Sequence, residues 1–264
     1  MDTFIYKKTA GITALSASFT DFTYKKHSHQ EYAIGVTLRG IQAYHLDGSF
    51  QLSYPSGVML FNPEQAHNGM AYDETGLDYV MLYIDPQLLL EVIEQEELVR
   101  FSSPVVYDDG LVQNILHLSH AILNDKDEAS CSELFLSLAD RLIQTDLSTE
   151  YKKDDTLIRK AKDMLQVHSE TVIKLDEICT ELSLSKFQFI RLFKAQTGIS
   201  PYQYFLNRKI ERARQVIEKS KDIYAAVADC GFVDLPHLNK HFKGVYGTTA
   251  FEYLSHMNQK STVL

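Results

Sequence analysis

Two short segments near the C-terminal end of the chain carry side chains that could contact nucleic acid. Arg191 and Lys194 stand in the first segment, and Asn239, Lys240 and Lys243 stand in the second. Arginine and asparagine carry donors that match base edges in the major groove of DNA, and lysines neutralise phosphates. These residues predict contact with double-stranded DNA if helices present them outward. A helical bundle with solvated charged faces is the alternative interpretation.

The two segments belong to a repeat in which equivalent positions lie 49 residues apart. A repeat of this length indicates one supersecondary unit that occurs twice. The matching positions pair Phe189 with Leu238, Phe193 with Phe242, Gly198 with Gly247, Ser200 with Thr249, and Tyr204 with Tyr253.

Each copy of the repeat predicts a helix, a tight turn and a second helix. In the first copy, the turn ends at Ser185, which can cap a helix from about residue 186 to residue 197. In the second copy, the turn at Gly231-Phe232 precedes a helix from about residue 235 to residue 246. Helical spacing turns Phe189 and Phe193 inward. The positions that we predict to contact DNA are Phe187, Gln188, Ile190, Arg191 and Lys194, followed by Pro236, Asn239, Lys240 and Lys243.

The charge of the chain is divided unevenly between its two parts. The 264 residues carry a formal net charge of -9, but residues 1–156 account for -14 and residues 157–264 for +5. A basic segment beside an acidic one is typical of a polyanion-binding module joined to a module with another task. With 45% hydrophobic residues, the chain can bury two cores, and we expect two domains.

The cysteines and the apolar segments predict a cytoplasmic protein. Cys131, Cys179 and Cys230 are odd in number and far apart, which favours a reducing compartment over a disulfide framework. The first residues lack the apolar core of a signal peptide. We expect no contact with a membrane, because the sequence has no apolar run of about eighteen residues.

The N-terminal part changes from strand patterns to helix patterns near Pro86. Short apolar runs at 32–38, 43–46, 57–61 and 77–84 are broken by turn signals and predict the strands of a barrel or sandwich. Two amphipathic helices follow, and their stripes could pack on the barrel, form a dimer interface, or do both. The polar stretch 145–156 predicts an exposed linker. The apolar stripes of the two helices consist of Leu111, Ile115, Leu118 and Ile122, then Leu134, Leu138 and Leu142.

The C-terminal part resembles the AraC/XylS family of transcription regulators. The resemblance is carried by SLSKFQFIRLFKAQTGISPYQYFLNRKIERA and by IYAAVADCGFVDLPHLNKHFKGVYGTTAFEY, which cover nearly the whole C-terminal part. It implies that residues 202–219 form a rigid helix joining two helix-turn-helix units. It also implies base-facing positions at Phe187, Ile190 and Arg191 in the first recognition helix, and at Pro236, Asn239 and Lys240 in the second.

Three positions in the second unit depart from the family pattern. Pro236 stands where a polar residue is common, Lys240 replaces the usual arginine, and Ala250 stands where proline is expected. Proline is tolerated in the first turn of a helix, so the fold should be retained. Lysine lacks the planar fork of arginine and contacts bases less selectively, so the second unit could chiefly hold the DNA backbone.

The N-terminal part resembles the cupin-type ligand-binding domain that is usually joined to such regulators. The resemblance rests on HSHQEYAIGVTLRGIQAYHLDG and YPSGVMLFNPEQAHNG. His27, His29 and His67 stand where a metal-binding cupin places its imidazoles, which could hold a divalent transition metal. Ala33 and Ile34 occupy the usual glutamate positions, although Glu31 would share a face with His27 and His29 on a strand. Structural or effector-contacting histidines are the interpretation we prefer, and we expect no cofactor.

The residues and the resemblances together predict a two-domain α+β protein. Residues 1–148 form a cupin-like β-barrel with two following helices, residues 149–156 a linker, and residues 157–258 an all-α domain of two helix-turn-helix units joined by a long helix. The expected function is regulation of transcription by a homodimer that binds DNA and contacts RNA polymerase, without catalysis, under control of a small polar effector. The alternative is a metal-dependent cupin enzyme fused to a DNA-binding domain. The candidate effector contacts are His27, His29, Glu31, Tyr32, Arg39, Tyr44, His67 and Tyr83.

Overall fold

The computed structural model describes residues 2–145, 147–148, 156–167 and 175–258. The predicted linker at 149–156, apart from its last residue, lies outside the described residues. The strands are β1 Thr3–Thr9, β2 Ile12–Phe19, β3 Thr23–His27, β4 Tyr32–Arg39, β5 Gln42–Leu46, β6 Ser49–Ser53, β7 Val58–Phe61, β8 His67–Ala71, β9 Leu77–Ile84, β10 Arg100–Phe101, β11 Val105–Val106 and β12 Leu147–Ser148. The helices are α1 Pro86–Val92, α2 Asp109–Leu123, α3 Glu128–Thr145, α4 Thr156–Val167, α5 Leu175–Glu181, α6 Lys186–Thr197, α7 Pro201–Ser220, α8 Ile223–Asp229, α9 Leu235–Tyr246 and α10 Ala250–Asn258.

Two antiparallel sheets form the N-terminal β domain. One sheet has the order β1-β2-β9-β4-β7-β11, and the other has the order β3-β8-β5-β6. The four predicted strands correspond to β4, β5, β7 and β9. Side chains from both sheets meet in one core, where the Tyr24 hydroxyl lies 2.7 Å from that of Tyr79. The predicted two-domain α+β architecture is confirmed.

Helices α2 and α3 cover the other face of the six-stranded sheet. Leu111, Ile115 and Leu138 are completely buried in a core with Ile34 and Leu82 of the strands. Asp108 caps α2, because its carboxylate accepts a hydrogen bond from the backbone nitrogen of Leu111 at 2.7 Å. The predicted packing of the apolar stripes on the sheet is therefore confirmed.

The C-terminal domain has the predicted repeat of two helix-turn-helix units. The first consists of α5 and α6 and the second of α8 and α9, with α7 between them. Ser185 forms a capping box with Gln188 at the start of α6, as Ser200 does with Gln203 at the start of α7. The recognition helices α6 and α9 begin and end at the predicted residues. None of the helices in the described ranges is long and apolar enough to cross a membrane.

The β domain and the C-terminal domain share buried apolar surface. Phe4 and Tyr6 of β1 belong to the same core cluster as Phe242 of α9 and Tyr253 of α10. Ala66, which precedes β8, packs in the core of the first helix-turn-helix unit. Burial of apolar area is the main favourable contribution to folding, so this shared surface stabilises one relative placement of the two domains.

The two recognition helices end at equivalent glycines that face the β domain. Gly198 and Gly247 both have φ +74°, in the left-handed region that favours glycine. A Cβ at Gly247 would lie 2.4 Å from Cδ1 of Phe4, whereas a Cβ at Gly198 would lie 3.3 Å from Cβ of Ala66. The second unit therefore approaches the β domain more closely at its helix end.

We expect Gly247→Ala to destabilise the protein more than Gly198→Ala. Both substitutions place a Cβ on left-handed backbone, but only the first also forces the Phe4 ring to move, and overpacking of this kind costs about 1–3 kcal/mol. Urea denaturation followed by circular dichroism measures the difference. Equal midpoints for the two variants would contradict the close packing on Phe4.

Candidate functional site

The residues predicted to contact DNA lie mostly on exposed faces of α6 and α9. Phe187 is 74% exposed, and no other large apolar side chain of α6 is comparably accessible. Ile190 and Asn239 are half-buried, and the remaining predicted positions are exposed: Gln188, Arg191, Lys194, Pro236, Lys240 and Lys243. Inward residues of the same helices, such as Phe193 and Phe242, are completely buried. The structure thus brings a cationic face and a core face together on each helix, as the spacing predicts.

Asn239 and Pro236 have structural roles within the second unit. The side-chain oxygen of Asn239 accepts a hydrogen bond from the backbone nitrogen of Ala250 at 3.0 Å, at the start of α10. Pro236 lies in the first turn of α9. A backbone N–H at this position has no acceptor within the helix, so its absence in proline loses no hydrogen bond. Lys240 and Lys243 therefore remain the exposed cations of this helix, and both are suited to phosphates.

The three histidines of the β domain form a compact buried cluster. The ring centroid of His67 lies 4.6 Å from that of His27 and 5.1 Å from that of His29. Each Nδ1 atom lies within hydrogen-bond distance of a backbone oxygen: 2.7 Å to Lys25 for His27, 2.9 Å to Glu31 for His29, and 2.8 Å to Gln65 for His67. Burial lowers the pKa of His27 to about 4 and lowers the pKa values of His29 and His67 too. The cluster is therefore uncharged at neutral pH.

The histidine cluster lies in the wall of a cavity inside the β domain. The space between protein atoms amounts to roughly 350 Å³ when the part open to solvent is included, and roughly 20 Å³ of it can hold the centre of a water molecule. Its polar lining includes Tyr24, Gln42, Tyr79 and Tyr83 besides the three histidines. The side-chain oxygen of Gln42 is buried without a hydrogen-bond partner in the structure. Such a mixture of aromatic walls and a few convergent polar groups is typical of a small-molecule site.

Four of the candidate effector contacts, Tyr32, Tyr44, Arg39 and Glu31, do not line this cavity. Tyr32 is buried on the opposite face of the six-stranded sheet, where its hydroxyl donates to the backbone oxygen of Val99 at 2.6 Å. Tyr44 is buried beside Phe61, and its hydroxyl donates to the backbone oxygen of Pro104 at 3.1 Å. Arg39 is exposed at the end of β4, where it pairs with Asp78 at 2.6 Å. The two tyrosine hydroxyls and the Arg39 guanidinium therefore have partners within the protein and do not face the cavity.

Glu31 does not stand on a strand with the histidines. Strand β3 ends at His27, so the alternation that would place Glu31 on a common face does not apply. The Glu31 carboxylate instead forms an ion pair with Arg214 of α7. Burial alone would raise the pKa of Glu31, but the nearby Arg214 guanidinium outweighs this effect and holds the pKa below its usual value.

A second cavity lies between the β domain and the C-terminal domain, next to this ion pair. It is lined by His27, His29, Glu31 and Tyr83 from the β domain and by Arg214, Tyr246 and Tyr253 from the C-terminal domain. Arg214 also lies 3.2 Å from Glu218, which accepts a hydrogen bond from Tyr253 at 2.7 Å. His27 and His29 thus line both the internal cavity and the interdomain cavity.

Further polar contacts join the domains on either side of Arg214. Glu64 accepts hydrogen bonds from Lys162 of α4 at 2.5 Å and from Tyr204 of α7 at 3.2 Å. Tyr6 donates to the backbone oxygen of Tyr246 at 2.9 Å. Helices α4, α7 and α9 are therefore held against the β domain.

Comparisons with known proteins match both domains. A family profile described as "AraC-like ligand binding domain" matches residues 9–139, and a profile described as "Helix-turn-helix domain" matches residues 178–256. The chain is 26% identical to the HTH-type transcriptional regulator YbfI of Bacillus subtilis over 81% of each chain. It is 22% identical to the HTH-type transcriptional activator RhaS of Klebsiella pneumoniae over 90% of each chain.

The chain belongs to the AraC family of transcription regulators. Its fold is similar to that of ToxT from Vibrio cholerae with a bound unsaturated fatty acid, at a TM-score of 0.61 and 14% identity, over 94% of this chain and 95% of that chain. An apo ToxT variant gives a TM-score of 0.64 at 13% identity, over 96% and 100% of the chains. The β domain of this AraC-family regulator is accordingly its ligand-binding domain, and the repeat is its DNA-binding domain.

Several cavity residues of the AraC-family regulator were not predicted from the sequence. Tyr79 and Met81 line the internal cavity and lie four and two residues, respectively, before Tyr83 on β9. The two-residue period of a strand could have found them once Tyr83 was chosen. Arg214, by contrast, joins the site only through the packing of distant elements, and no local pattern indicates it.

We expect Arg214→Met to destabilise the AraC-family regulator by about 3–5 kcal/mol, because it leaves the Glu31 carboxylate buried without its partner. Arg39→Met is the matched control, since it removes an arginine from an exposed pair and should change stability much less. Urea denaturation gives both values. Similar midpoints for the two variants would show that the buried pair does not hold the domains together.

Proposed function

We propose that this AraC-family regulator inserts α6 and α9 into successive major-groove segments of one DNA duplex, under control of a small polar effector in the β-domain cavity and without catalysis. The observation that carries the proposal is the pair of equivalent capped helices, each with a buried core face and an exposed cationic face. An α-helix fits the major groove, and tandem units can contact segments about one helical turn apart.

The two helices divide the work of recognition. Arg191 on α6 offers a planar fork that can pair with both acceptors of a guanine, which supports selective base contact by the first unit. The cations of α9 are lysines, and Asn239 is engaged with α10, so the second unit chiefly holds phosphates. The complex should therefore depend strongly on salt, as phosphate contacts do.

The effector class follows from the lining of the internal cavity. The structural relative ToxT has been solved with an unsaturated fatty acid bound. In this chain, the imidazole cluster, Gln42 and several tyrosine hydroxyls line the cavity. Because a buried polar group without a partner is costly, these groups favour a small molecule that supplies hydrogen-bond donors over a hydrocarbon chain.

A homodimer that contacts RNA polymerase in the cytoplasm completes the proposal. Leu136 and Ile143 lie one heptad apart on α3 and are each 50% exposed. Apolar residues at this spacing are typical of helix pairing, which supports a dimer contact along α3. Effector binding would alter promoter occupancy or polymerase contact by favouring one arrangement of the domains.

Selection of preferred duplexes, followed by fluorescence anisotropy with single-base variants, tests the DNA contact. We expect Arg191→Ala to lose discrimination at one base position by about 1–3 kcal/mol. Lys194→Ala is the matched control, because loss of a phosphate contact weakens all sequences alike and reduces the salt slope by about 1. Uniform weakening by Arg191→Ala as well would refute base recognition by α6.

A thermal-shift screen against amino acids, sugars and amines tests the effector proposal, since a bound ligand raises the melting temperature by mass action. We expect a stabilising compound to shift the wild type and to shift Gln42→Leu much less, because the variant lacks the unpaired acceptor in the cavity. Gln113→Leu, at an exposed position of α2, should respond like the wild type. Equal shifts in all three proteins would place the ligand elsewhere.

A further inference from the structure

We propose that His27, His29 and His67 form a three-histidine site for a divalent transition-metal ion. Their candidate ligand atoms all lie within 4.8 Å of one another, and all three residues are buried. Two imidazole nitrogens on one tetrahedral ion lie about 3.4 Å apart, because metal–nitrogen bonds are about 2.0–2.1 Å long, so small rotations of the rings bring atoms at these separations onto one ion. The proposal concerns the β domain alone and does not depend on how the regulator contacts DNA.

The hydrogen bonds of the cluster determine which ring nitrogen is available to a metal. Each Nδ1 lies 2.7–2.9 Å from a backbone carbonyl oxygen, which can only accept. Each Nδ1 therefore carries the hydrogen, and each Nε2 keeps its lone pair. Metal-binding histidines usually have this second hydrogen bond, which orients the ring and raises the basicity of the ligand. All three members of the cluster share the arrangement.

One buried nitrogen of the cluster lacks a hydrogen-bond partner. Nε2 of His29 is buried and has no hydrogen-bond partner in the structure. A buried acceptor without a partner is unfavourable, and natural proteins usually pair such groups with protein, water or an ion. In this cluster the neighbouring groups are two further imidazoles that present the same kind of lone pair, so they cannot donate to it. A cation satisfies all three acceptors at once.

The backbone supports a preformed site. His27 and His67 are directly opposite each other in the antiparallel pair of β3 and β8, which fixes their separation. His29 follows two residues after His27, and its ring is held against Tyr83 of β9 with centroids 5.4 Å apart. Ligands on paired strands lose little freedom when a metal binds, so the sheet holds His27 and His67 near each other in advance.

The donor set restricts the kind of ion. Neutral imidazoles suit zinc, copper, iron and nickel better than magnesium or calcium, which prefer oxygen ligands. The Glu31 carboxylate pairs with Arg214, so the described part of the chain supplies three nitrogens and no carboxylate to this cluster. A metal held by three histidines retains a coordination position for water or another small ligand. The remaining position would lie at the wall of the internal cavity, which all three histidines line.

Cobalt(II) titration of untagged, chelator-treated full-length protein tests the site directly. We expect one equivalent of Co²⁺ to produce visible absorption bands, and one equivalent of Zn²⁺ to displace it and raise the melting temperature. X-ray absorption on the wild-type zinc complex should show three imidazole nitrogens at about 2.0–2.1 Å. These wild-type measurements do not depend on whether any variant folds.

Variants locate the bound ion. His67→Gln should weaken Zn²⁺ binding by more than the roughly 10- to 100-fold that loss of an outer-shell partner costs. His237→Gln is the matched control, because His237 and His241 also form a close histidine pair, one turn apart on α9 with centroids at 4.9 Å. It should bind like the wild type. Absence of stoichiometric binding, or loss of binding only in His237→Gln, would overturn the proposal.

Discussion

The ion pair between Glu31 and Arg214 is the contact on which the arrangement of this regulator most depends. The two residues are separated by 183 positions in the sequence and lie in different domains, and both side chains are largely buried. A buried charge is stable only with a partner. The β domain supplies the carboxylate and the C-terminal domain supplies the guanidinium, so each charge depends on the other domain. Around this pair, the aromatic side chains of β1 pack on α9 and α10 and extend the interface. The two domains therefore have one favoured relative placement.

This contact also places the ligand-binding cavity next to the helix that joins the two DNA-binding units. His29 is bonded to the backbone oxygen of Glu31, and Glu31 is paired with Arg214 in the middle of α7. A ligand or ion that moves His29 would therefore also displace Glu31, whose side chain contacts α7. Because α7 packs against helices of both units, a shift there can alter the spacing of the recognition helices. Control by the effector requires that the effector bind one of these two arrangements more tightly than the other.

The sequence predicts local features of this molecule well and long-range features poorly. Helices α6 and α9 could be delimited because caps such as Ser185 and Gly198, together with helical spacing, are encoded within a few residues. The sequence predicts the histidine cluster and Tyr83 in the cavity correctly but places Tyr32 there wrongly, because a tyrosine on a strand does not show which face of the sheet it will occupy. The role of Arg214 depends on the docking of the domains. No spacing within α7 distinguishes Arg214 from the exposed cations of a DNA-binding domain.

If one chain places α6 and α9 in successive major-groove segments, the DNA backbone must be protected at two separate places. Hydroxyl-radical footprinting of the full-length protein on a selected duplex at low salt measures this directly. We expect two protected segments on one face of the duplex, with centres about one helical turn, or 10–10.5 base pairs, apart. A single protected segment of one unit's width, or no protection at all, would contradict DNA recognition by the tandem helices.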